Sequence, residues 1–180
     1  MPTWPPPPRP INKDERFMNT QTGALLHQAH MTTIEALQSL DELLGSNKKA
    51  PAKDELLARK LKQLARILKS EVENHFGFEE NHLFKVFVEQ GETGIVTMLT
   101  HEHRSILPLA LQVADLAVAA AEAGFTDATW TEFKDAGAEL VEREIFHIQK
   151  EEMGLLSAIS ALVDPEMDEE LADIYRREVG

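Results

Sequence analysis

The chain has 180 residues, 43% of them hydrophobic, which suits one globular unit with a real core and excludes a mostly disordered chain. Its 31 acidic side chains against 18 basic ones give a net charge of −13, which argues against nucleic acid and against an anionic membrane surface as partners. There is no cysteine, so disulfides, thiolate catalysis, Cys-ligated zinc and iron–sulfur clusters are excluded, and any metal must be held by His and carboxylates.

Residues 1–18 read as a proline-rich extended arm. Pro5 to Pro8, flanked by Pro2 and Pro10, cannot form a helix or pair inside a sheet. Such an arm is a draped terminus or a docking peptide for a protein partner. Residues 19–163 read as four long helices. The first carries Leu25, Leu26, Ile34, Leu37, Leu40, Leu43 and Leu44 at helical spacing and stops near Gly45. The second starts near Ala52 to Asp54, runs through Leu61, Leu68, Val72, Phe76 and Phe84, and ends at about Gly91. The third spans about Thr93 to Ala123, with Pro108 expected to kink or loosen it, and Gly124 ends it. The fourth begins after Asp127 and carries Phe133, Leu140, Ile148, Leu155 and Ile159. Asp164-Pro165 then starts an acidic C-terminal helix within 164–180. Strand signals are absent, so the expected class is all-α, an up-down-up-down four-helix bundle. No apolar run is expected to reach the ~18 residues of a membrane span, and no secretory signal is read at the N-terminus. These readings together predict a soluble cytoplasmic protein.

Chemistry concentrates in the histidines. His75-Phe-Gly-Phe-Glu79-Glu80 and His147-Ile-Gln-Lys-Glu151-Glu152 share the pattern HxxxEE. A His and a Glu four apart lie on one helix face and can offer a nitrogen and an oxygen to the same cation. Residue counting tests whether further histidines join them. With loop centres near residues 49, 92 and 125, His27 and His75 lie 22 and 26 residues from the first, and His103 and His147 each 22 from the third. His75 and His103 lie 17 and 11 from the second, and that worst mismatch is about 9 Å along a helix, within reach of tilt and loop shape. One His from each helix, with Glu79 and Glu151, can therefore meet in a single layer. Burying such groups without a cation is costly. Four imidazoles and two carboxylates suit two iron or manganese ions better than one tetrahedral zinc.

These stretches resemble the hemerythrin-like, or HHE cation-binding, family, whose motif runs H…HxxxE…H…HxxxE across four bundle helices. The matching segments are Leu26 to His30, His75 to Phe84, Glu102-His103-Arg104 and His147 to Leu156, covering roughly Ala24 to Leu162. The resemblance implies a non-haem di-iron centre with an oxo or hydroxo bridge, with manganese or zinc as substitutes. Its ligands would be His27, His75, Glu79, His103, His147 and Glu151. It also implies a small diatomic or peroxide ligand, and peroxidase-like, catalase-like or nitric-oxide-reacting activity, in a monomer or homodimer. Oxygen-carrying relatives place a further His where Leu99 stands, so this chain looks more like the four-His, two-Glu members. The alternative is a non-enzymatic oxygen or iron sensor acting through a partner.

Several assignments stay open at this level. Ala29 and Ile34 favour His27 by likeness to the family, yet His30 also fits the stripe of Leu26, Leu37 and Leu44. Glu152 competes with Glu151; otherwise it and Glu80 are surface groups or partners of a ligand's free ring nitrogen. His103 is preferred to His101 because Glu102-His103-Arg104 resembles the family's third element; residues two apart on a helix point to opposite sides, so only one of the two can be a ligand. His82 lines an entrance or is an ordinary histidine. Phe76, Phe78, Phe84 and Phe146 read as core, and Tyr175 as part of the tail. Ferritin-like oxidases use ExxH pairs; none is expected at this centre.

Overall fold

The computed structural model describes residues 19–179, and the expected proline-rich arm lies outside them. Among the described residues there are five helices and no strand: α1 (Gln21–Ser46), α2 (residues 55–89), α3 (Thr93–Ala123), α4 (residues 127–162) and α5 (Pro165–Glu178). Polar caps set four of the five starts. Thr20 accepts from the Gly23 N–H, Asp54 from the Leu57 N–H at 2.7 Å, and Asp164 from the Met167 N–H at 2.9 Å. Thr126 and Thr129 form a reciprocal capping box at the head of α4. Gly124 stops α3 with φ +83°, a left-handed conformation that favours glycine. α3 stays α-helical through Pro108, where the sequence leads one to expect local loosening.

Helices α2 and α4 are interrupted in a way the sequence reading does not anticipate. α2 widens into π turns at Leu68–Val72 and Glu79–Leu83, and α4 does so at Glu151–Leu155. The cause is legible in the spacing of buried side chains. On α2 they run Leu68, Val72, Phe76, Glu79, Leu83, Phe87, and on α4 Leu140, Glu144, Ile148, Glu151, Leu155, Ile159. Steps of four predominate, while an α-helix turns every 3.6 residues, so the row would drift off the inner face. A π turn absorbs an extra residue and brings the row back.

α3 packs against α2 and α4, α1 against α4 and α2, and α5 lies along α1 and the middle of α2, giving a helical bundle. α5 is tied to the head of α1. The Asp168 carboxylate accepts from the Gln21 and Thr22 N–H groups at 2.8 and 2.9 Å. These are donors that a helix start leaves unsatisfied. α3 is, by length and composition, long and apolar enough to cross a membrane, contrary to the expectation that no apolar run is. In the bundle its Leu99, Ile106, Ala110, Val113 and Ala117 are buried core residues.

The core comes in two parts. One holds Leu37, Leu40, Leu68, Phe76, Ile106, Phe133 and Leu140; the other holds Leu26, Phe78, Leu83, Leu99, Leu155 and Tyr175. Along every bundle helix a histidine falls between the two: His30 on α1, His75 on α2, His103 on α3 and His147 on α4. A polar layer is thus clamped between two apolar ones.

Candidate metal centre

Four imidazoles and two carboxylates occupy that layer, all of them buried: His30, His75, His103, His147, Glu79 and Glu151. They form two overlapping groups, His30–His75–Glu79–Glu151 and His103–His147–Glu79–Glu151, each with ligand atoms close enough to share one cation. Within each group two ring nitrogens face each other. His30 Nε2 lies 3.2 Å from His75 Nε2, and His103 Nε2 lies 3.1 Å from His147 Nε2. The two carboxylates link the pairs. Glu79 sets Oε1 3.2 Å from His75 and Oε2 3.4 Å from His103. Glu151 sets Oε2 3.0 Å from His30 and Oε1 3.1 Å from His147. Each acid therefore offers one oxygen to either side.

These approaches suit a cation better than they suit hydrogen bonds. All four oxygens of Glu79 and Glu151 are buried without a hydrogen-bond partner, because the neighbouring ring nitrogens are close but not aligned to donate. Leaving them so costs about 1–3 kcal/mol each unless something positive binds. The outer ring nitrogens tell the same story. His30 Nδ1 donates to Glu152 at 2.6 Å, His103 Nδ1 to Glu80 at 2.8 Å, and His147 Nδ1 to Glu102 at 3.0 Å. A carboxylate on Nδ1 fixes the tautomer and turns the Nε2 lone pair inward, as a metal ligand requires. Lys150 in turn holds Glu102. The set is nitrogen and carboxylate oxygen only, which fits iron, manganese or zinc.

Charge within the layer is strongly coupled. Burial alone would lower the His30 pKa, but Glu151 and Glu152 outweigh it and raise it to about 10. His103 is likewise raised to about 10 by Glu151 and Glu79 against burial, and His147 to about 9 by Glu151. Burial and Glu151 would raise the Glu79 carboxyl, yet His75 and His103 hold it below its usual range. Burial would raise Glu151 too, and His147, His103 and His30 hold it well below. The site is an anionic hollow that draws protons or cations.

Of the six ligands expected from the sequence, the structure brings His75, Glu79, His103, His147 and Glu151 together and leaves out His27. His30 stands in its place. The buried face of α1 runs Leu26, His30, Thr33, Leu37, Leu40, Leu44, and His27 sits to one side of it, its side chain 38% exposed, on Glu152 at 3.0 Å. Glu151, not Glu152, reaches the centre. Glu80 and Glu152 act on ring nitrogens of His103 and His30, one of the two roles open to them. His101 is exposed, and His82 bonds Glu178 of α5 at 3.0 Å. Phe76 stacks on His103 with ring centroids 3.8 Å apart, whereas Phe146, expected in the core, is 55% exposed.

Two residues were missed. Tyr175 lies on the C-terminal helix, but it is not remote from the motifs: α5 sets its hydroxyl 3.5 Å from His75 Nδ1, with the ring edge-on to Phe78. Glu144 is buried, 2% exposed, with Oε2 lacking a partner. Burial raises its carboxyl pKa. It lies three before His147, so an ExxH pair is present at the centre after all, and that spacing was the available signal.

No curated protein and no solved structure gives a match to this chain. The Hemerythrin HHE cation binding domain matches residues 23–159, a stretch that takes in all four histidines and both acids of the layer. With that match and that geometry, the chain belongs to the hemerythrin HHE cation-binding family.

Proposed function

We propose that the layer holds two iron ions and reacts with dioxygen, peroxide or nitric oxide. One observation carries the reading: each of two carboxylates divides its oxygens between two imidazole pairs, giving two neighbouring positions with two nitrogens and two oxygens apiece. Four protein ligands leave exchangeable positions on a metal that prefers six. Bound there, iron supplies Lewis acidity and electrons to a small oxygen or nitrogen species. The chain does the rest. Glu79 and Glu151 hold the two positions together. Glu152, Glu80 and Glu102 keep the protons of three imidazoles on the outer nitrogen, so that the inner one stays a ligand. Phe76 and Phe84, stacked on His103, wall the layer with apolar surface and limit water. Leu99 stands where oxygen-carrying relatives have another His, which favours turnover over reversible carriage.

Metal analysis, near-ultraviolet absorbance and stopped-flow mixing with peroxide and nitric oxide test this. We expect about two irons per chain, an oxo-bridge band and turnover faster than free iron gives. Replacing Glu79 or His147 by Ala should remove iron and band together; a variant retaining full iron would sink the assignment. A second reading, a non-enzymatic sensor, is favoured by the contact of Tyr175 with His75, which joins the layer to α5. Turnover no faster than free iron, with α5 shifting on iron removal, would select it.

A further inference from the structure

Between α1 and the first turns of α2 lies a groove that none of the other described helices lines. Its volume is about 460 Å³, the size of a binding site rather than of a packing defect. Leu40, Leu61, Leu64 and Ile67, all core residues, form its floor. Glu35 and Glu42 stand exposed on the α1 rim, and Lys60 on the α2 rim. Neither glutamate has an ion-pair partner among the described residues. An apolar floor beneath an unpaired acidic rim fits an occupant with apolar bulk and well-spaced positive charge.

We propose that the occupant is the chain's own N-terminal segment, residues 1–18, laid antiparallel along α1 with Lys13 against Glu35 and Arg9 against Glu42. Length sets this register. The segment joins the bundle at Thr20, the cap of α1. Along α1, at about 1.5 Å per residue, Glu35 and Glu42 stand about 22 and 33 Å from that point. Counted back from the same point, an extended chain rising about 3.1 Å per residue brings Lys13 to about 22 Å and Arg9 to about 34 Å. Both levels agree. A chain reversal of two residues shifts them by about 6 Å, within the length of a Lys or Arg side chain. Ile11 then falls between the two pairs, at about 28 Å, over Leu40. Pro8 and Pro10 flank it, and prolines hold a chain extended beforehand, so little freedom is lost on docking. Charge agrees with length: Arg9, Lys13 and Arg16 outnumber Asp14 and Glu15 in the segment, whereas the chain as a whole carries −13. The inference is independent of the iron reading.

Cysteine crosslinking in the full chain tests this, because the parent has no cysteine. Ile11→Cys is combined either with Ser39→Cys, on the groove, or with Glu142→Cys, exposed on α4. Mass spectrometry of dilute, oxidised protein follows the disulfide within one chain. A docked segment should close the Ser39 pair about tenfold faster than the Glu142 pair, whereas a segment that is only tethered meets both at similar effective concentration. Reversing the rim with Glu35→Lys and Glu42→Lys should bring the first rate down to the second. Adding Arg9→Glu and Lys13→Glu should restore it to within a few-fold, which a misfolded chain could not do. Equal rates for the two pairs overturn the inference. So does a disulfide that forms only between chains, which would give the groove to a second copy. A fast Ser39 pair that ignores both charge reversals overturns the register. Each of these results leaves the iron reading standing.

Discussion

Two histidines three residues apart on α1 show how little separates a ligand from a bystander. His30 continues the inward row between Leu26 and Thr33, and its two ring nitrogens reach Glu151 and Glu152 at 3.0 and 2.6 Å. His27 lies beside that row and reaches Glu152, 3.1 and 3.0 Å from its two oxygens, and neither acid of the layer. His30→Ala is therefore expected to cost one metal position, and His27→Ala to leave the stoichiometry at two, as counted by metal analysis after saturation and desalting. The carboxylates on the outer nitrogens should act more gently. Glu152→Gln weakens the acceptor on His30 without removing a ligand, and a loss of about 10–100-fold in metal affinity is the expected scale. Competition with a chelator of known affinity measures it, and parent affinity in the variant would show that His30 needs no such support.

At the scale of elements, the layer depends on helices holding register. π turns start at both acids, Glu79 and Glu151, where rows of buried residues spaced by four would otherwise rotate away from the interior. α5 contributes by clasping. Its Asp168 satisfies two N–H groups at the head of α1, Arg176 reaches Gln21 at 2.9 Å, and Tyr175 lies over His75. Replacing Asp168 by Ala should cost about 1–3 kcal/mol in urea unfolding, since it orphans two donors at a helix start. Protection of the α1 amides should fall with it. Unchanged stability would mean that water replaces the carboxylate at no cost.

For the whole molecule, the buried charges make stability and metal uptake respond to pH in opposite senses. His30, His103 and His147 have pKa values raised from 6.5 to about 10, 10 and 9. Their contribution to the stability of chelator-stripped protein is fully present below 6.5 and lost as pH rises through 9 to 10. Glu79 and Glu151 are lowered from 4.5, so theirs is present above 4.5 and lost as pH falls. Glu144, raised by burial, tilts the balance further toward acid. The stripped protein is thus expected to melt highest at about pH 4.5–6.5 and to lose stability up to pH 10. Metal must displace imidazole protons, so its affinity should climb over the same alkaline range. Calorimetry across pH and a zinc titration check both limbs; a melting temperature that stays level from pH 6.5 to 10 would falsify the pairing.

The sequence by itself determined the helical class, the four long helices, the Asp164 cap that starts the C-terminal helix, and five of the six clustered residues. These features are local. A cap acts on the next turn, a stripe needs only its own helix, and HxxxE puts two side chains on one face whatever surrounds it. Only the tertiary structure decided between His27 and His30, because both fit α1 and the choice depends on where α2 and α4 press against it. The packed bundle likewise brought Tyr175 to His75 across 100 residues of sequence and drew Phe146 out to solvent. Glu144 acquired its meaning there too, since an acid three before a histidine is ordinary on a wet surface and consequential when it is buried with an unpartnered oxygen. Chain-local physics fixes which way a side chain points on its helix; what it meets there is fixed by the other helices.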